Sequence, residues 1–353
     1  MKIISKITFV LIAVLILTGC IDAQTSPSRT MSPTEGTSSA ISPSVTWTAT
    51  GFSEDEYATL NSLVKVDDHP LYSMRYYGDY DPPQIAYDLP DFDQGWACSL
   101  FATLVDHGNL LYGRNFDWQH SPAVLLFTDP QDGYASVSMV DIAYLGFEGD
   151  QGQNLTDIPL AEREALLIAP RLPFDGMNEH GLVVGMAAVP PGNMQPESGR
   201  ATISSLGIIR QILDRAINVE EALTIIDKYN IDMGGGPPIH YLIADRSGAA
   251  ALVEFYNGRM FITYNDAPWH QATNFLRAAV DGQPAGQCWR YDRITQSLAS
   301  SAGRLTASEA MELLDEVSQV STQWSVVYDF GSGDIQVVMG RKYDQVHRFR
   351  LSP

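Results

Sequence analysis

Cys98 heads an apolar stretch, Cys98–Val105, and a second, Leu110–Asn115, follows it across Asp106-His107-Gly108-Asn109. The second stretch carries Arg114 and runs into Asp117, 16 and 19 residues after the cysteine. Two such runs around a polar, glycine-containing tetrapeptide read as a β-hairpin, which folds Arg114 and Asp117 back beside Cys98. A cation favours the thiolate, the nucleophilic form of cysteine. A carboxylate orients and holds a proton-carrying group. The chemistry on offer is attack by sulfur.

The remaining composition narrows the field. Cys20, Cys98 and Cys288 are the three cysteines of 353 residues, too few for a disulfide framework or a four-thiolate zinc site. The seven histidines show no metal-binding spacing, so no metal is expected. Gly234-Gly235-Gly236 runs into Pro237-Pro238 rather than Gly-Lys-Ser/Thr, so it is a loop, not a phosphate cradle, and no cofactor is expected. A net charge of −20 excludes nucleic-acid partners, which need a basic face. With 45% hydrophobic and 18% charged residues the chain can bury a core.

The N-terminal segment carries an address. Lys2 and Lys6 precede the apolar run Ile7–Leu17, which is short for a membrane span and ends in Leu17-Thr18-Gly19-Cys20. That ending resembles the lipobox of prokaryotic lipoproteins, which implies removal of residues 1–19, lipidation of Cys20 and an extracytoplasmic, membrane-anchored location. Residues 21–50 are rich in Ser, Thr and Pro and read as a tether that cannot bury enough surface to order itself. Loss of Lys2 and Lys6 leaves 20 basic against 42 acidic residues, a net −22.

From about Gly51 the chain is globular and without repeats. Helical spacing runs over Ser53–Val66, and His69–Tyr80 is extended and tyrosine-rich. Gly181–Val189 is a near-continuous apolar run, a strand buried on both faces. Ile239–Ala244, Ala250–Phe255 and Arg259–Tyr264 form a meander, and Trp324–Tyr328 with Asp334–Met339 a hairpin. Helices are expected along Leu206, Ile209, Leu213 and Ala216, from Asn218 through Tyr229, and from Thr306 through Val317, the last two opened by capping boxes. Grouped strands and grouped helices indicate α+β layers rather than alternating βαβ units.

On these residues the chain resembles the N-terminal-nucleophile hydrolases of the choloylglycine hydrolase class, whose relatives include penicillin V acylase, the acid ceramidase group and acyl-coenzyme A:isopenicillin N acyltransferase. The resemblance rests on Cys98 with Gly113-Arg114-Asn115-x-Asp117, on Gly176-Met177-Asn178-Glu179-His180-Gly181-Leu182, on Ala272-Thr273-Asn274-Phe275, and on Cys288-Trp289-Arg290-Tyr291. It implies a four-layer αββα sandwich of antiparallel sheets and hydrolysis of linear amide C–N bonds in N-acylated small molecules. It also implies that Cys98 is the nucleophile and that its own α-amino group is the base, freed by cutting Ala97–Cys98. Arg114 supports the thiolate, Asp117 binds the α-ammonium, Asn274 donates to the oxyanion and Arg290 closes the charge network. Residues 51–97 are then a propeptide that stays packed, through the aromatic segment Tyr72–Tyr80, on a 98–353 catalytic domain.

One position departs from the pattern. Ala188 stands where bile-salt hydrolases and penicillin V acylases carry a second oxyanion asparagine, and a backbone N–H is its expected replacement. Asn178-Glu179 reads as a turn before the buried strand, and Cys288 as packing near the site. Two other functions fit parts of the chain: a Cys-His peptidase using His240 or His270, and a lipid-tethered ligand-binding protein without catalysis.

Overall fold

The computed structural model describes residues 51–80, 97–105, 110–192, 195–234 and 236–352. Cys20, the lipobox, the tether and the segment leading up to Ala97 lie outside them. The strands are β1 Val64–Asp67, β2 Leu71–Arg75, β3 Ala97–Leu104, β4 Leu110–Asp117, β5 Ala123–Thr128, β6 Ser136–Asp141, β7 Asp175–Asn178, β8 Val183–Ala188 and β9 Ala201–Ser204. They continue as β10 Tyr229–Asp232, β11 Ile239–Ala244, β12 Ala250–Tyr256, β13 Arg259–Tyr264, β14 Trp269–Ala272, β15 Thr322–Asp329, β16 Asp334–Met339 and β17 His347–Arg350. The α-helices are α1 Glu54–Asn61, α2 Gly149–Gln153, α3 Gly207–Arg215, α4 Val219–Ile226, α5 Trp289–Ser300 and α6 Ala307–Glu316.

Two large sheets stack. One has nine strands in the order β1-β2-β5-β6-β7-β8-β11-β12-β13, the other six in the order β14-β3-β4-β15-β16-β17. Pairing is antiparallel except for β2 with β5 and the small β9–β10 pair. Strand periodicity sorts β3 and β4 between two cores. Cys98, Leu100, Tyr112 and Phe116 face the nine-stranded sheet, while Phe101 and Leu111 pack with Ile294, Leu298, Leu313 and Leu314 of α5 and α6. On the far side, Ile209, Leu213 and Ile226 of α3 and α4 pack against the nine-stranded sheet, in one continuous apolar cluster with the inter-sheet residues. The result is the αββα sandwich. Two glycines let its layers close: a Cβ on Gly113 would strike the Phe101 ring at 2.4 Å, and one on Gly185 would meet the Tyr112 hydroxyl at 2.7 Å.

Several boundaries move. The first helix stops at Asn61 and β1 follows, since Val64–Asp67 pairs with β2. Tyr229 opens β10 rather than ending α4. Sequence periodicity misses β5, β6 and α5: β5 is buried and lacks alternation, β6 alternates only over its first four residues, and α5 opens on Cys288 with no side-chain cap.

The segment 51–80 is built into the fold. Leu60, Leu71, Tyr72 and Met74 are core residues. The Tyr72 hydroxyl donates to the Gly152 carbonyl and accepts from the Leu155 N–H, each at 3.0 Å. Tyr80 donates to Asp214 at 2.7 Å and covers the Arg210 guanidinium.

Candidate active site

Cys98 is the second residue of β3, buried, and in register with Phe116 on β4. Its side chain lies on the wall of a pocket of about 470 Å³, part of it open to solvent. Phe116, Trp118, Tyr144, Phe174, Met186, Ala188, Leu206 and Ile239 also line it, and among the described residues no charged one does. Burial pushes the Cys98 thiol above its ordinary pKa, against the pull of Arg114. Within the uncut chain the sulfur is therefore a neutral thiol that needs a base.

Arg114 shares the Cys98 face of β4, opposite Leu100. It is fully buried, its Nη1 paired with Asp175 of β7, while Tyr328 donates to the other Asp175 oxygen at 2.5 Å. Burial would lower the guanidinium's pKa, but Asp175 outweighs it and holds Arg114 charged. The cation lies 5.0 Å from the Phe116 ring centroid and 5.9 Å from that of Trp324. Asp175 was not singled out in the sequence; its position directly before Gly176-Met177-Asn178 is the signal that points to it.

Asp117 does not pair with Arg114. It lies opposite Ala97, on the helix-facing side of the sheet. There it accepts from the Thr322 hydroxyl at 2.5 Å and faces Arg290 at 3.4 Å. Burial raises its pKa to about 6, against Arg290 and Thr322. The hairpin therefore brings one of the two charges to the thiol's face and leaves the other behind it.

Arg290, on the first turn of α5, is fully buried and joins the parts. Its Nη1 donates to the Cys98 carbonyl at 2.6 Å and to Ser99 Oγ at 3.0 Å, and its Nη2 to Asn274 Oδ1 at 2.7 Å. The same Asn274 oxygen accepts the Cys98 N–H at 2.6 Å. β14 pairs Ala272 with Leu100, so the continued register sets Asn274 opposite Cys98.

Asn274 gives one hydrogen of Nδ2 to the Ala188 carbonyl at 2.7 Å, and its second amide hydrogen remains. Ala188 lies opposite Ile239, and the bond from Val189 N–H to the Pro238 carbonyl marks 189 with 238 as a hydrogen-bonded pair. Ladder alternation then turns both the N–H and the C=O of Ala188 away from β11, toward Asn274.

The other sequence candidates are structural. Asn178 donates to the Leu213 and Ala216 carbonyls at the end of α3 and accepts from His180 and Leu182, closing the turn into β8. Cys288 is buried at the start of α5. His270 pairs with Ala102, four residues along β3 from Cys98, and Thr263's carbonyl lies 2.9 Å from its Nε2. Burial lowers its pKa to about 4. His240 faces Glu254. Among the described residues no group of three or more His, Cys, Asp or Glu could hold a metal ion, and no helix is long and apolar enough to cross a membrane.

A cysteine on the first turns of a strand, inside an αββα sandwich and backed by a buried Arg/Asp/Asn network, defines an N-terminal-nucleophile-hydrolase-like fold. The chain belongs to the linear amide C–N hydrolases, choloylglycine hydrolase family, whose sequence profile matches residues 98–274. Among solved structures, conjugated bile acid hydrolase from Clostridium perfringens is similar in two variant forms. At 15% and 14% identity they give TM-scores of 0.53 and 0.50, each covering 72% of this chain and 92% of that one. Penicillin V acylase from Agrobacterium tumefaciens matches 72% of this chain and 86% of its own at 14% identity, with a TM-score of 0.49. For the two bile acid hydrolase structures, at these identities, the likeness is one of fold.

Proposed function

We propose that this amide hydrolase works through a cysteine nucleophile that it creates itself, and that its substrates are N-acylated small molecules with an apolar acyl group. The observation that carries this reading is the position of Cys98: it lines a pocket whose described walls are uncharged, and its nitrogen is held by Asn274. Activation begins with the Cys98 thiol adding to the Ala97 carbonyl. The N–S acyl shift breaks the Ala97–Cys98 peptide bond and leaves a thioester. Water hydrolyses it to an Ala97 carboxylate and a free Cys98 amine and thiol.

An α-amine titrates near 7.7–8.0, so a useful fraction is free base at neutral pH. That amine takes the thiol proton, and the thiolate adds to the substrate carbonyl. The second amide hydrogen of Asn274 and the Ala188 N–H are the two donors poised for the resulting oxyanion, the backbone donor standing in for the asparagine absent at 188. The protonated amine passes its proton to the leaving nitrogen, and water releases the acyl group from sulfur. Arg114 lowers the energy of the thiolate. Asp117, through Arg290, holds the Cys98 backbone and Asn274.

The lipobox resemblance supports an extracytoplasmic location for the enzyme, with a lipid tether on Cys20. The test is intact-mass and N-terminal analysis with an N-acyl substrate panel. A fragment beginning at Cys98 and loss of both cutting and turnover in Cys98→Ala are expected. An uncut chain that hydrolyses amides, or turnover retained in Cys98→Ala, overturns the mechanism.

A further inference from the structure

Asn274 sits at the end of β14, and the chain beyond it turns into the short helical stretch Arg277–Ala279. What holds that turn is a carboxylate from the other sheet. Glu254 of β12 is fully buried, and its two oxygens accept consecutive backbone N–H groups: Arg277 to Oε1 at 2.8 Å and Ala278 to Oε2 at 2.9 Å. His240, its neighbour on β11, approaches the same Oε1 through Nδ1 at 3.2 Å. Burial alone would raise the Glu254 pKa, but His240 and the two N–H groups outweigh it and keep the carboxylate ionised.

A buried charge is costly, and an apolar side chain would fill this space without that penalty. The carboxylate does what an apolar residue cannot: it fixes the direction in which the chain leaves Asn274. Asn274 is correspondingly constrained on both sides. β14 is laddered to β3 before it, and Glu254 clamps the turn after it.

We propose that Glu254, oriented by His240, is a positioning residue that aims the Asn274 amide at the oxyanion. The inference rests on the reading of Asn274 as an oxyanion donor. Glu254 touches neither substrate nor sulfur; it acts through the turn. Glu254→Gln keeps one acceptor and replaces the other by a donor facing a backbone N–H, so one arm of the clamp is lost.

The test compares cleaved wild-type protein with Glu254→Gln. It measures hydrolysis of an N-acyl p-nitroanilide and alkylation of Cys98 by iodoacetamide, a reaction that forms no oxyanion. The expected result is a kcat lower by about 10- to 100-fold, the scale of a misplaced catalytic group, with KM and the alkylation rate unchanged. His240→Leu, which leaves both N–H bonds, should give a smaller loss of kcat with the same split. Unchanged kcat in Glu254→Gln overturns the proposal, and so does a parallel fall of kcat and alkylation in both variants. Failure of the underlying reading is distinct: hydrolysis would then survive Asn274→Ala in the wild-type background.

Discussion

Arg114 and Asp117, three residues apart on β4, face opposite sides of their sheet. Arg114 shares the inter-sheet side with Cys98 and pairs with Asp175; Asp117 lies on the helix side and pairs with Arg290. An odd spacing on a strand requires this. The site is therefore two charge pairs, one on each face of β4, the strand paired with the Cys98 strand.

The first pair makes Asp175 indispensable. Removing one partner of a fully buried ion pair costs about 3–5 kcal/mol, because the other charge stays behind without compensation. Asp175→Asn should lower the unfolding free energy by that amount in denaturant titration. It should also slow alkylation of Cys98, since Arg114 loses the neighbour that fixes it. Double substitution with Arg114→Met should recover part of the stability and none of the reactivity.

How much of this was legible follows from the same strand. The hairpin, Cys98, the Met-Asn-Glu turn, the Asn218 N-cap and the Thr306 capping box are local signals, and the structure places them where their residues indicate; at Asn218 the box stays open, because Glu221 accepts from the Ile217 N–H instead. Which charge pairs with which is not local. Asp175 is 61 residues from Arg114 and meets it only because the two sheets stack. Arg290 reaches Cys98 across 192 residues. A strand such as β5, with apolar residues on both faces, carries no alternation to read. Ala188 could be flagged as a missing side chain, whereas the direction of its N–H depends on a register that needs β11 in place.

The pH dependence of stability should centre on Asp141. It ends β6 with Oδ1 accepting the Ala143 N–H, and burial raises its pKa to about 7. A carboxyl raised on folding binds its proton more tightly in the native state. Its contribution is complete below the unfolded value near 3.8 and is lost as pH rises toward about 7. Asp117, raised to about 6, acts in the same direction. Wild-type unfolding free energy should therefore fall between about pH 4 and pH 7, with a slope of at most about 1.4 kcal/mol per pH unit for each proton. Asp141→Asn, which stays neutral, should flatten that slope in urea titrations. An unchanged slope would remove Asp141 as its source.

Cutting at Ala97–Cys98 should leave two chains that do not separate. β2 pairs with β5 along five rungs, and Tyr72 is buried with both of its hydroxyl bonds made to the α2 region. The N-terminal fragment should co-elute with the 98–353 fragment on gel filtration and part from it only in denaturant. Tyr72→Ala removes a large buried side chain at a cost of about 3–5 kcal/mol and should let the fragments separate under native conditions.

Acyl selectivity should be set by Met186 and its neighbours. The described residues that line the pocket beside Cys98 are uncharged and mostly apolar, so an acyl chain gains chiefly by leaving water, at about 0.8 kcal/mol per methylene. That gain holds only while there is space, and Met186 of β8 stands on the wall two residues before Ala188. Met186→Trp should leave kcat/KM for N-acetyl substrates near the wild-type value, because the oxyanion donors and the thiol do not move. It should lower kcat/KM for long or aromatic acyl groups by more than tenfold, about 1.4 kcal/mol or nearly two methylenes of lost burial. A ratio of long to short substrates unchanged by Met186→Trp would show that the acyl group lies elsewhere, and equal losses for both would point to damage at Cys98 rather than to a filled pocket.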